Sequence, residues 1–257
     1  GFDPDLGPND NDATVRALLI DGTYLLAGGR MANYQSPSGA DSQISGLSKI
    51  NLNTGELVSD FQANVQAAGI TSTHITRAIV KQTIDGTGYY LVGGDFGLKR
   101  LNAATGAIDD AFTTTLGSSL GANAHVRALF VQSDGKILVG GSVGHGAKRG
   151  IVRLNPDGTV DPDFMPGGIS VLGASPVVHS ILGYGDGSQI FVGGAFTTTT
   201  ASNPTSNFVS LHLDGVPFNT VAPTVASSLA LSATTGTWTA DPTDYSYQWQ
   251  SSSTQAC

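Results

Sequence analysis

The stretch Ser133-Asp-Gly-Lys-Ile-Leu-Val-Gly-Gly141 sets a lysine, three glycines and an aspartate within nine residues. Those are the ingredients of a loop that cradles phosphate. Such a loop also needs Ser or Thr directly after the lysine, at the opening of a helix, so that backbone N–H groups, ammonium and hydroxyl converge on the phosphates. Here Ile137 follows Lys136, so the phosphate reading fails. No serine-nucleophile elbow is expected. The five histidines, His74, His125, His145, His179 and His212, are far apart and include no His-Glu-x-x-His pair, so no zinc site is expected. Residues 7–14 (GPNDNDAT) and 155–163 (NPDGTVDPD) could offer oxygen ligands to Ca2+. Neither has the full spacing of a known calcium loop, and Asx and Pro turns account for both, so no cofactor is expected. Glycosidases set a pair of carboxylates across the bond they cleave, whereas most acidic residues here fall in turns, so an enzyme is not expected.

The charged residues that do repeat form columns. Arg16, Arg77 and Arg127, with His179, open successive segments. Lys49, Arg100 and Arg153, with His212, recur further along, and Asp60, Asp110 and Asp163 stand just before a closing phenylalanine. Six of the twelve Lys and Arg residues thus occupy two columns. One reading is a ring of basic residues that binds an anion. The favoured reading is one ion pair or hydrogen-bond set per segment, pinning an outer strand to the inner ones, in which Asp163 supports the third segment.

The elements carrying these columns are four copies of one pattern. The first halves are VRALLIDGTYLLAGG from Val15, ITRAIVKQTIDGTGYYLVGG from Ile75, VRALFVQSDGKILVGG from Val126 and VHSILGYGDGSQIFVGG from Val178. The second halves start at Leu47, Leu98, Ile151 and Phe208. Each copy holds four short apolar runs separated by turn residues, the signature of strands and hairpins. Asp21-Gly22, Asp85-Gly86, Asp134-Gly135 and Asp186-Gly187 join the first two runs, and Asp-Gly suits the positive φ of a tight hairpin. Thr54-Gly55, Thr105-Gly106, Asp157-Gly158 and Asp214-Gly215 join the last two. No helical periodicity of useful length is found. Four-stranded antiparallel units at this period predict an all-β chain of propeller blades. The Gly-Gly pair ending each second run predicts a bulge or the close approach of another backbone.

The pattern V-R-A-L-x-x-Q-x-D-G-K-I-L-V-G-G, then R-L-N-x-D-G-x-x-D-P-x-F, is fullest from Val126 to Phe164. It resembles the delta-60 repeat family of β-propellers. That resemblance implies a propeller in a secreted or surface setting and no catalytic residues. The predicted organisation is the end of a preceding blade or a linker over 1–14 and four blades over 15–221 (about 15–65, 75–116, 126–168 and 178–221). A partial immunoglobulin-like segment follows over 222–257. The last rests on the stretch 236–250 (GTWTADPTDYSYQWQ), which resembles the opening strands of a bacterial immunoglobulin-like module, with Trp238, Tyr245, Tyr247 and Trp249 as its core. Residues 2–6 (FDPDL) resemble the last strand of a blade, so a longer parent with five to seven blades is expected, or an array completed by neighbouring copies.

In an up-and-down blade the tight Gly turns share one rim and the longer connections share the other. Loops on a rigid scaffold are where binding usually resides. The expected contact surface is therefore the long-loop rim, with Tyr34, His145 and Arg149 as candidates, against plain solvated loop. Glycine makes up 34 of 257 residues, about twice the usual share, and charged residues are 12%, about half of it. That polar, weakly charged composition points to an extracellular, cell-surface or virion setting. With a formal charge of −8 and scattered basic residues, nucleic acid is not an expected partner, and no run is long enough for a membrane-spanning helix. The only cysteine is Cys257. The function expected is a non-enzymatic structural or adhesive repeat protein, a surface, secreted-assembly or virion-fibre component. Its expected partners are copies of itself, other surface proteins and glycans; a carbohydrate-binding module is the alternative.

Overall fold

A computed structural model describes residues 14–31, 33–38, 41–145, 148–164, 176–184, 189–197, 206–212, 219–221, 225–226, 232–233 and 237–238. The chain divides into two compact units, Gly1–Leu211 and His212–Cys257. Among the described residues the first unit carries four three-stranded meanders and one two-stranded hairpin. The first blade is β1 (Thr14–Asp21), β2 (Tyr24–Arg30) and β5 (Leu47–Asn51), with a hairpin of β3 (Asn33–Gln35) and β4 (Asp41–Gln43) between the last two. Helix α1 (Ser59–Ala67) follows it. The second blade is β6 (Thr76–Ile84), β7 (Thr87–Gly94) and β8 (Gly97–Asn102), followed by α2 (Asp110–Leu116). The third is β9 (His125–Val131), β10 (Ile137–His145) and β11 (Lys148–Leu154), and the fourth is β12 (Val177–Tyr184), β13 (Gln189–Thr197) and β14 (Ser206–His212). In the second unit β15 (Asn219–Val221) pairs with β18 (Thr237–Trp238), and β16 (Val225–Ala226) with β17 (Ser232–Ala233). Tyr245, Tyr247, Trp249, the Asp186-Gly187 and Asp214-Gly215 turns and residues 1–13 lie outside the described residues.

The expected fourth strand is replaced. After the Gly turn a single rung forms, Ile50 with Leu57, Leu101 with Ile108 and Leu154 with Val160. The next N–H, of Val58, Asp109 or Asp161, then donates to the carbonyl of Lys49, Arg100 or Arg153 at 2.8–2.9 Å. In the second blade the Asp109 carboxylate accepts from the Phe112 N–H at 3.0 Å and caps α2, which diverts the chain from the sheet. Helices of nine and seven residues leave too few turns for a legible periodicity. What holds them is the burial of Phe61 and Val65 on the first and of Phe112 and Leu116 on the second.

The first strands β1, β6, β9 and β12 pack against one another in sequence, and the Gly-Gly pairs explain how. A side chain on Gly28 would meet Thr76 Cγ2 at 2.5 Å and Ile79 Cδ1 at 2.9 Å. One on Gly93 would collide with Val126, and one on Gly140 would meet Val178 Cγ1 at 2.6 Å and Ile181 Cδ1 at 2.9 Å. Each of these is a residue of the next blade. The second glycine of each pair faces inward instead: Gly29, Gly94, Gly141 and Gly194 lie against the carbonyls of Thr14, Ile75, His125 and Val177. There β1, β6, β9 and β12 are bulged, with Arg16, Arg77, Arg127 and His179 as the extra residues. The first glycine is a socket for the neighbouring blade, and the second makes room for the blade's own bulge.

Gly93→Ala is expected to destabilise the protein by about 1–3 kcal/mol through overpacking against Val126. In urea unfolding the midpoint falls with an unchanged m-value, and adding Val126→Ala restores part of the loss. An unaltered midpoint for Gly93→Ala would show that no socket exists.

Candidate functional site

The third-strand cations are buried, and each is built into a cage. Lys49 Nζ stands 4.3 Å from the Tyr24 ring centroid and 5.1 Å from that of Phe61, and donates to the Ala103 carbonyl of the next blade at 2.7 Å. Arg100 lies over Tyr89 and Phe112, at 4.9 and 4.2 Å, and donates through Nη1 to the Pro156 carbonyl of the next blade at 2.5 Å. Arg153 lies 5.0 Å from the Phe164 centroid. Ala103 and Pro156 occupy the same place in their turns, so Lys49 and Arg100 staple their neighbouring blades in the same way.

The carboxylate partners differ from the expected column. Arg100 Nε and Nη2 donate to Asp109 Oδ2 at 3.0 and 2.9 Å, and Arg153 Nε donates to Asp161 Oδ2 at 2.8 Å. Asp60, Asp110 and Asp163 are exposed; the first two sit in the first turns of α1 and α2. The carboxylate one or two residues earlier is chosen because its backbone N–H already bonds to the cation's own carbonyl. In the first blade that place is Val58, and the charge comes from elsewhere. Asp21 accepts from Lys81 Nζ at 2.6 Å and from the Tyr90 hydroxyl at 2.7 Å, both in the second blade. The Lys81 and Tyr90 bonds hold the Asp21 carboxyl below its ordinary range, with further help from Lys49. Burial lowers the Lys49 ammonium, and Asp21 opposes that shift. Burial pushes the Asp161 carboxyl up, yet Lys136, the Asp163 N–H and Arg153 outweigh it and leave it lowered. Lys136, the lysine of the apparent phosphate loop, therefore sits on Asp161 at 3.0 Å. In the fourth blade the cation column falls on Ser210, which receives a bond from Gln189 Nε2 at 3.0 Å, and not on His212.

The two rims are marked by backbone bonds. Leu52 N–H to Thr23 and Ala103 N–H to Gly88 join the tight turns, while Gly46 N–H to Thr71 and Gly144 N–H to Leu120 join the longer connections to the blade-to-blade links. Tyr34 does not belong to a free rim. It is buried with Met31, Ile44 and Ile50, and its hydroxyl donates to the Gly55 carbonyl at 2.5 Å. The β3–β4 hairpin folds back across the first blade to reach that turn. His145 and Arg149 are exposed at the tip of the β10–β11 hairpin, where His145 pairs with Lys148 and Gly144 with Arg149. Neighbouring rungs face opposite ways, so the two side chains do not converge on one ligand.

Sequence reasoning missed a cavity of about 360 Å3 on the long-connection rim, lined by Asp95, Phe96, Leu116, Leu120, Asn123 and His125. Asp95 Oδ1 accepts from the Ile75 N–H at 3.0 Å, and the Phe96 ring meets His74 edge-on at 5.6 Å. Its only sequence signal is the short β7–β8 turn, which leaves the space open. Gly-x-Ser-x-Gly does occur, at 117–121 and 140–144. The first follows α2 and the second lies inside β10, so neither is a strand-to-helix elbow. In residues 155–163 Asp157 Oδ1 accepts from the Thr159 N–H and hydroxyl, and Asp161 Oδ1 from the Asp163 N–H. These are Asx turns. Among the described residues no group of three His, Cys, Asp or Glu is placed to hold a metal.

Four antiparallel meanders with first strands packed in sequence and a socket glycine between each pair define the architecture. The fold is β-propeller-like. The profile of a domain of unknown function, the DUF5122 β-propeller, matches residues 132–164, within the third blade of this propeller-like array. No curated protein matches the chain. Among solved structures, the extracellular domain of BT4673 from B. thetaiotaomicron is 17% identical, with a TM-score of 0.44 over 75% of this chain and 22% of that one. The computationally designed Ika8 protein is 15% identical, with a TM-score of 0.42 over 85% and 54%. The Cps50 (Swd1) β-propeller domain of Myceliophteria thermophila is 13% identical, with a TM-score of 0.35 over 77% and 72%. The chain thus spans about a fifth of the first of these structures and about half of the second.

Asp161→Asn is expected to destabilise the protein by about 3 kcal/mol or more, because it leaves a buried guanidinium without its counter-charge. Asp163→Asn should stay within about 0.5 kcal/mol. Because the Asp21 and Asp161 carboxyls are lowered in the folded state, the stability they contribute is full above the ordinary carboxyl value of about 4 and is lost as pH falls through their folded values. A melting profile against pH should therefore show a shallower acid limb for Asp161→Asn than for the native chain. Identical limbs contradict the assignment.

Proposed function

We propose that this chain is a non-enzymatic extracellular structural or adhesive repeat protein, a cell-surface, secreted-assembly or virion-fibre component, that presents a stiff row of blades and joins copies of itself through the ends of that row. The observation that supports it is that the two end blades expose surfaces complementary in shape, of the kind that meet between neighbouring blades. Ile79 and Leu129, which enter the sockets of Gly28 and Gly93, are each 7% exposed; Leu18, their counterpart in the first blade, is 62% exposed, and Ile20 beside it 69%. At the other end the socket glycine of the fourth blade, Gly193, meets among the described residues only Ser180 and the Asn207 carbonyl of its own blade. Leu182 and Tyr184 on that side are 67% and 69% exposed. A plug at one end and a socket at the other make a heterologous contact, which closes into a ring or runs on as a fibre. Burying one such side chain contributes roughly 1.5–3 kcal/mol. The low charge and high Gly, Ser and Thr content fit an extracellular setting, and the resemblances to delta-60 repeats and to the start of an immunoglobulin-like module fit a long surface protein.

A second reading, carbohydrate binding, is favoured by the rim cavity, where the Phe96 ring stands beside Asp95, Asn123 and His125. An aromatic face among polar groups suits a sugar ring, and a glycan array read with native and Phe96→Ala protein tests it.

Sedimentation velocity over a wide concentration range should show reversible growth of the native chain. Leu18→Asp keeps a socket and Tyr184→Asp keeps a plug. Each alone should stay monomeric, and a mixture of the two should stop at dimers. A native chain that is monomeric at every concentration refutes assembly through the blade ends.

A further inference from the structure

The bulged ends of β1, β6, β9 and β12 carry Arg16, Arg77, Arg127 and His179, one cation or histidine per blade. Because these strands pack in sequence, the residues form a row. Arg127 Nη1 lies 3.4 Å from His179 Nδ1, and Arg77 feels the charges of both Arg127 and Arg16. Each third-strand cation lies against a ring, and Lys49 and Arg100 also reach a carbonyl of the next blade. Among the described residues the bulge arginines have neither. Asp95 is the one carboxylate that acts on Arg77, and burial and the two neighbouring arginines together lower that guanidinium from its ordinary value. Among the described residues, four buried side-chain polar atoms have no hydrogen-bond partner: Thr14 Oγ1, Thr76 Oγ1, Arg77 Nε and Arg127 Nε. All four lie at this one end of three consecutive strands. Buried donors are normally satisfied, so this clustering points to a missing acceptor. It also stands out in a chain with a formal charge of −8.

We infer that the bulged strand ends form an oxyanion site, in which Arg77 and Arg127 together hold one carboxylate, sulfate or phosphate group, with Arg16 and His179 extending the row toward further acidic groups of the same ligand. A planar guanidinium presents forked donors that match such a group and carries its charge at every physiological pH. Two guanidiniums on adjacent strands repel until an anion lies between them. The bulge is what makes the site, since it turns one extra residue out of each ladder at the same level. The hydroxyls of Thr14 and Thr76 add donors beside the same strands. This inference rests on the first strands alone and is independent of assembly through the blade ends.

Calorimetric and thermal-shift titrations of the whole chain with sodium sulfate, sodium phosphate and sodium glucuronate, each at ionic strength fixed with sodium chloride, test it. The native chain should bind at least one of the three saturably, with a rise in Tm, and the preferred one names the group's source: an acid sugar for glucuronate, a sulfate ester for sulfate, a phosphate for phosphate. Arg77→Gln/Arg127→Gln should bind at least tenfold more weakly. Without added anion it should melt at or above the native Tm, because the repulsion is gone. Sulfate stabilises most proteins by exclusion, so an equal response in native and variant chains, or the same response to chloride alone, overturns the site. A variant that melts well below the native chain in chloride alone also overturns it, since the arginines would then be structural.

Discussion

The structure depends on a space one methyl group wide. Each blade is a three-stranded sheet with two apolar faces, and such a sheet cannot bury both by itself. The gap over Gly28, Gly93 or Gly140 is filled by Thr76 and Ile79, by Val126 and Leu129, or by Val178 and Ile181. Protein interiors pack too densely to leave or overfill such a gap cheaply. The glycine therefore sets how close two blades come, and everything else at the interface is adjusted to that distance. At the tight-turn rim the same close approach recurs: Phe61 lies against Gly106 and Phe112 against Gly158, each reaching into the next blade's turn. Those glycines also carry φ of +77° and +96°, so turn geometry and interblade space demand the same residue.

The buried cation works within that frame. In the second and third blades its counter-charge sits on the short rung after the Gly turn, as Asp109 or Asp161, while the end of the first strand carries neutral Gln82 or Gln132. Gln82 spends its amide on Arg100 and on the Gly135 carbonyl of the next blade. In the first blade the arrangement is exchanged: Val58 occupies the rung and Asp21 the strand end. One carboxylate is kept near each cation although its position moves. The requirement is therefore charge balance in a desolvated place and not a particular residue, which is why the pair is invisible to a column-by-column reading. Lys136 shows the same economy, since it takes the place of Tyr24 and Tyr89 and adds a second cation to Asp161 instead of an aromatic wall.

The repeat, the hairpins and the Gly-Gly spacing were legible in the sequence because each is a local demand: positive φ, alternation, or the absence of a side chain. The blade's fourth run was not. Val160 and its counterparts have strand-like neighbours, yet only one rung forms before the chain leaves the sheet, in the second blade into a helix that Asp109 caps, and such a cap is not visible in apolar patterning. The loss of Asp110 and Asp163 as ion-pair partners has a similar origin. Proximity to the phenylalanine suggested them, whereas the backbone bond to the cation's carbonyl selects the residue. Tyr34 reads as a loop residue because its flanks are polar; its burial arises from a hairpin that recrosses the blade, a long-range event. The Phe96 cavity comes from a connection that is short, and a short connection carries no positive signal.

Two repeat columns of basic residues thus end in different surroundings, and the difference lies in the strand that bears them. Lys49 and Arg100 sit on the third strand, whose next-blade neighbour is a turn with a free carbonyl, so each is consumed as a staple, and Arg153 is held by Asp161 and Phe164 of its own blade. Arg16, Arg77 and Arg127 sit on the first strand, whose next-blade neighbour is another first strand with another cation at the same level. Repetition supplies acceptors to the outer column and denies them to the inner one. Any acceptor for the inner column must come from outside the repeat, as Asp95 does for Arg77 alone. A bulge kept in four blades, with a charged residue at it in three and histidine in the fourth, therefore places uncompensated charge where the blades converge.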